Sequence, residues 1–208
     1  MNTITYKAVE FFTIFIALPI GFVFPYSIWV KLSLGLIGFI YIAYVLLKYE
    51  GLAFKVSKEL NWSLFWNQTL IKLIVISILT TFFVWATNRE ALFNVLLNKP
   101  GLWVFILFIY SVFSVYPQEV IYRTFFFTRY ANLFRDRRLL IFVNAIIFSL
   151  GHIFFRNVLV LVLTFLGGVL FAVTYHKTKS TLLVSTEHAL YGSWLFTVGM
   201  GEMLGFPE

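Results

Sequence analysis

Apolar residues run almost unbroken through most of the chain, and polar positions fall between the runs rather than alternating with residues inside them. Seven runs stand out, at about 8–25, 28–48, 69–87, 101–133, 138–155, 157–176 and 181–201. At about 1.5 Å of rise per residue, a helical run of some 20 residues crosses a hydrocarbon core of about 30 Å. Lipid offers the backbone no hydrogen-bond partners, whereas a helix satisfies its own amides. The pattern predicts an all-α, polytopic transmembrane helical bundle of about seven spans (six to eight). The fourth run is too long for one perpendicular crossing. Pro117 lies near its middle and lacks a backbone donor, so a helix break or kink is expected there.

Composition fits this pattern. Of 208 residues, 61% are hydrophobic and only 12% charged, too few charges to cover a soluble domain of this size. The whole chain, 1–208, reads as a single integral membrane domain. No small-residue cleavage site follows the first run, which is therefore read as a retained helix. The absence of cysteine rules out disulfides, thiolate metal sites and a cysteine nucleophile.

The net charge of +7 needs no nucleic-acid partner once the Lys and Arg residues are placed. With the N-terminus inside, one face receives Lys7, Lys48, Lys55, Lys58, Lys72, Arg129, Arg135, Arg137, Arg138, Lys177 and Lys179. The other receives only Lys31, Arg89, Lys99 and Arg156. That bias predicts a cytoplasmic N-terminus and an outside C-terminus, and a prokaryotic plasma membrane is the plainest location. Residues 49–66 mix Lys55, Lys58 and Glu59 with Trp62 and Trp66, a pattern that suits either an interfacial helix or a simple loop. Residues 88–99 form a smaller version on the opposite face.

Four ionisable residues interrupt the apolar runs: Glu119, Arg123, His152 and His188. A charge at the bilayer centre costs about 2.5–3.5 kcal/mol on insertion scales, so each asks for a reason. Glu119 and Arg123 are one helical turn apart, acid before base, which places an ion pair on one face. Such a pair is also compatible with a purely structural role. Gln118 and Tyr122 form the same relation on the next stripe. Asn144, Phe148 and His152 make an i, i+4, i+8 stripe suited to protein contact, and Gly151 permits close approach. A lone histidine there also serves simple helix-to-helix hydrogen bonding. In the last run His188 follows Glu187, which shares a face with Tyr191, and Gly167-Gly168 gives the preceding run a small-residue surface. Measured along ideal helices from their cytoplasmic ends, Glu119, His152 and His188 lie roughly 21, 20 and 10 Å deep. A carboxylate with two imidazoles can hold a water or a metal ion and move protons, as peptide hydrolysis requires.

Three ordered segments, Gln118-Glu119-x-x-x-Arg123, Phe148-x-x-x-His152 and His188-Ala189-Leu190-Tyr191, resemble the motifs of the CPBP family. This family comprises the CAAX-type prenyl-protein endopeptidases and their bacteriocin-processing, Abi-type membrane relatives. The resemblance covers a core at about 105–195. It implies an intramembrane endopeptidase with a water-accessible cavity, in which a glutamate-activated water attacks the scissile carbonyl of a peptide or membrane-protein substrate. By that resemblance Glu119, His152 and His188 are the expected catalytic residues. Gln118, Arg123, Phe148, Glu187, Tyr191 and Gly192 are the expected supporting ones.

Two positions depart from the family's pattern. Gln118 stands where the family has a leading glutamate, generally assigned as the base, and a neutral amide cannot accept a proton in that role. Gly192 stands where an asparagine is usual. Either Glu119 or Glu187 takes over as base, or the chain is a catalytically inactive relative that binds a peptide or a partner helix. A small proton-coupled transporter is the remaining alternative, weakened by the lack of an inverted repeat. A divalent metal such as zinc at Glu119, His152 and His188 stays open, although no H-E-x-x-H spacing supports it.

Overall fold

The computed structural model describes residues 3–51 and 60–205, and every regular element among them is helical. The described helices are α1 (Ile4–Gly21), α2 (Ile28–Lys48), α3 (Trp62–Thr87), α4 (Asn94–Asn98), α5 (Pro100–Leu133), α6 (Arg137–Leu150), α7 (Val158–Thr178) and α8 (Thr181–Val198). Their starts are written locally. Side chains of Thr3, Asn61, Asp136, Asn157 and Ser180 accept first-turn amides of α1, α3, α6, α7 and α8, and Pro100 opens α5, where its missing N–H costs nothing. Gly199, at φ +102°, ends α8 in the left-handed conformation that glycine adopts most readily.

Among the described residues, six helices are long and apolar enough to cross a membrane: α1, α2, α3, α5, α6 with its 3₁₀ extension to Phe155, and α7. The protein is an integral membrane protein. The seventh expected run forms α8, which is helical but less apolar because other helices surround it. It runs antiparallel along α5, with Thr181 bonded to Thr124 near one end (2.5 Å) and Thr197 accepting from Trp103 near the other (3.0 Å). Trp194 and Glu187 reach Thr80 and Lys72 of α3. A helix wrapped by protein needs no all-round apolar surface. By contrast, α2 and α3 leave Leu36, Ile37, Ile78 and Phe82 more than half exposed, as a lipid-facing surface does.

The irregularity expected near Pro117 takes the form of two widened turns in a continuous helix. The π-helical stretches Tyr110–Val115 and Val120–Phe125 flank a short α segment, Tyr116–Glu119. Each widened turn inserts a residue and rotates the helix beyond it, so the side chains are re-aimed without a break. At the expected interfacial segment, residues 52–59 lie outside the described residues, while Trp62 and Trp66 begin α3 and are exposed. Residues 88–99 form a 3₁₀ turn, Arg89–Ala91, and the short α4.

The Gly167-Gly168 surface does bring helices close. A Cβ on Gly168 would sit 3.0 Å from the Ala145 Cα of α6, which leaves no room for a side chain between α6 and α7. Gly168→Val is therefore expected to lower stability by about 1–3 kcal/mol, the usual cost of overpacking, read as a lower thermal midpoint in detergent. Gly35→Ala, with nothing within 4 Å of its Cβ, is the control expected to leave the midpoint in place.

Candidate functional site

The widened turns of α5 aim Glu119 and Arg123 inward, towards α6, α7 and α8. Glu119 is fully buried, and its Oε1 accepts a hydrogen bond from His188 Nδ1 at 2.7 Å. Its Oε2 lies 3.4 Å from Arg123 Nε, so the i,i+4 pair forms. The contact is an ion pair without an aligned hydrogen bond, since neither Oε2 nor the guanidinium nitrogens have such a partner among the described residues. The Arg123 guanidinium lies over the Phe148 ring at 4.6 Å, where the ring face offers a desolvated cation some compensation.

Different partners hold the two histidines in the same tautomer. His188 stacks on Phe171 at 4.3 Å and meets Phe148 and Tyr110 edge-on. With Glu119 ionised, its Nδ1 carries the proton and Nε2 is the bare nitrogen. His152 Nδ1 is 2.7 Å from the Phe148 carbonyl; a carbonyl only accepts, so here too Nδ1 donates and Nε2 is bare. The predicted stripe on α6 faces α5: Asn144 donates to the Tyr122 carbonyl inside a widened turn at 2.6 Å, and Phe148 separates the two imidazoles, at 4.9 Å and 5.6 Å.

His152, His188, Gln118, Tyr110 and Tyr122 line a cavity of about 720 Å³ whose walls are otherwise mostly Leu, Ile, Val and Phe. Glu119 and Glu187 do not line it. Glu187 is fully buried, paired with Lys72 and accepting from the Tyr191 hydroxyl at 2.8 Å, so the Glu187–Tyr191 relation seen in the sequence is a direct bond. Gln118 donates Nε2 to Ser114 Oγ at 2.8 Å, while its Oε1 is buried without a partner among the described residues. Gly192, also on the lining, packs against Tyr110.

No group of three or more His, Asp or Glu side chains among the described residues is placed to hold a metal ion. The Glu119 carboxylate is turned to Nδ1 of His188 and to Arg123, and His152 Nδ1 is turned to its own helix. His188, expected about 10 Å nearer one end than Glu119, touches Glu119 directly; distance along a helix axis gives relative depth only for helices that stand parallel to one another. Finally, Tyr110 joins the site unannounced, although Tyr110, Ser114 and Gln118 are spaced as an i, i+4, i+8 polar stripe on α5. Lys72, read only for its side of the membrane, pairs with a buried carboxylate, and nothing local in the sequence announces a partner 115 residues away.

Taken chemically, the site offers two imidazole nitrogens free to accept protons at a cavity wall. One of them is backed by a carboxylate held in turn by an arginine. Comparison with curated proteins gives no match, and comparison with solved structures gives none. Residues 100–194, somewhat under half of the chain, match the family model described as type II CAAX prenyl endopeptidase Rce1-like. That stretch contains the Glu119–Arg123 pair, His152 and the Glu119–His188 contact, and over it the chain is similar to the CAAX protease family of membrane proteins.

Proposed function

We propose that the protein is an intramembrane endopeptidase in which His188, rather than Glu119 directly, is the base that activates water. The observation that carries this reading is the 2.7 Å contact between His188 Nδ1 and buried Glu119, which leaves Nε2 bare on a residue that lines the cavity. Water gives a proton to Nε2 and its oxygen adds to the scissile carbonyl carbon. Glu119 acts through His188, fixing the tautomer and offsetting the imidazolium charge, while Arg123 holds the carboxylate. The bare Nε2 of His152 accepts a hydrogen bond from the water or the substrate amide. On collapse the C–N bond breaks and the leaving amine takes the proton from His188.

The substrate class that fits an apolar cavity is a hydrophobic peptide or membrane-protein segment, presented from a lipid bilayer. The Lys and Arg bias supports a cytoplasmic N-terminus and an outside C-terminus, and the proposed location is a prokaryotic plasma membrane. Purified protein in liposomes, supplied with a peptide library, is expected to release defined products. His188→Ala and His152→Ala are each expected to lower kcat by about 10²–10⁴-fold. Cleavage indifferent to both substitutions would sink the site.

One observation favours a second reading. Among the described residues the cavity is lined by Gln118 and by no carboxylate, which suits a non-catalytic relative that binds a peptide or partner helix in the same space. That reading gains if the wild type binds apolar peptides without cleaving them and only Gln118→Glu creates cleavage.

A further inference from the structure

One polar group on the cavity wall has no part in the proposed water activation. Tyr110 is buried, lines the cavity, and meets the His188 ring edge-on with centroids 6.0 Å apart. Its hydroxyl makes no hydrogen bond to any described residue. A buried phenol normally finds a partner for its O–H, so a hydroxyl left without one at a cavity wall is free to donate to whatever enters.

Gly192 explains how the phenol reaches this place. A Cβ at position 192 would collide with the Tyr110 hydroxyl and with its ring edge. Gly192 lies one turn beyond His188 on the same face of α8, and both residues line the cavity. The Tyr110 hydroxyl therefore fills the volume that a side chain at 192 would otherwise occupy, next to the imidazole.

We infer that Tyr110 is a further catalytic residue, whose hydroxyl donates a hydrogen bond to the carbonyl oxygen of the scissile peptide as that oxygen becomes an oxyanion. This rests on the endopeptidase reading. When water oxygen bonds to the carbonyl carbon and its proton goes to His188 Nε2, the carbonyl π pair moves onto oxygen, and Tyr110 Oη–H faces the new charge. The hydroxyl keeps its proton. When the pair returns and the C–N bond breaks, the amine leaves with the proton from His188. A donor preset in a water-poor site acts on the transition state more than on the bound peptide.

Tyr110→Phe keeps the ring that fills the space over Gly192 and deletes only the donor. Cleavage kinetics are to be measured with the best peptide from the library, together with the affinity of that peptide and of its phosphinate analogue, a tetrahedral anionic mimic. The expected result is a fall in kcat of about 10²–10³-fold with little change in KM. Phosphinate affinity is expected to fall by at least about tenfold, while the parent peptide binds as before. Unchanged kcat in Tyr110→Phe overturns the assignment, as does an equal loss of affinity for both ligands. A wild type that cleaves nothing removes the endopeptidase reading itself, a result distinct from an active enzyme indifferent to the hydroxyl.

Discussion

Glu119→Gln is expected to cost the protein both its activity and much of its stability, by two separable routes. The first runs through His188. A carboxylate can only accept from Nδ1–H, whereas an amide can also donate to Nδ1, which moves the imidazole proton to Nε2 and removes the base. The corresponding change at other His–carboxylate pairs lowers kcat by about 10⁴-fold, and a loss of about 10²–10⁴-fold is expected here with KM little altered. The second route runs through Arg123. Its guanidinium is fully buried with Glu119 as its nearest carboxylate contact at 3.4 Å, and breaking a buried pair from one side leaves a charge uncompensated, at about 3–5 kcal/mol. The double variant Glu119→Gln/Arg123→Met separates the two. Its thermal midpoint in detergent is expected to recover most of the loss while kcat stays low. A Glu119→Gln protein with wild-type kcat would refute the positioning role. An unchanged midpoint would mean that Arg123 is compensated by something else.

The second large effect lies outside the cavity. Arg129 is buried between Glu10, whose Oε2 is 2.8 Å from Nε, and Glu50, whose Oε1 is 2.9 Å from Nη1. Tyr130 and Tyr41 donate to Glu10, and Lys7 Nζ donates to the Arg129 carbonyl at 3.0 Å. The cluster ties α1 and the chain just beyond α2 to the end of α5. Arg129→Met leaves Glu10 without its cation, and a destabilisation of about 3–5 kcal/mol is expected. The cleavage rate per folded molecule should be retained, because none of these residues lines the cavity. Thermal unfolding in detergent with an activity assay below the midpoint checks both halves. A variant that unfolds like wild type but cleaves slowly would place this cluster in the catalytic machinery instead.

The contrast between the two clusters shows where the sequence is readable. Glu119 and Arg123 stand four apart in an apolar run, so their pairing follows from helical periodicity alone. Arg129 sits at the end of the same run, where it looks like any flanking basic residue. Its burial depends on Glu10, 119 residues earlier, and no local pattern records that distance. The same holds for Lys72 and Glu187. His152 and His188 announce themselves by being polar in lipid, but whether they face one cavity depends on how α5, α6 and α8 cross.

The sequence by itself determined the solvent, the helices and the identity of the polar residues, because span length and hydropathy are set by the bilayer and not by neighbouring helices. It also supplied the ordered segments that mark the family. The tertiary structure decided the roles. Glu119 lies behind His188 rather than at the cavity wall, Tyr110 takes the volume that Gly192 leaves empty, and α8 packs antiparallel beside α5. Each of these turns on the rotation of one helix against another. Rotation is fixed by the two widened turns around Pro117 and by side chains that meet only after folding, and neither is encoded in the spacing of residues along a single helix.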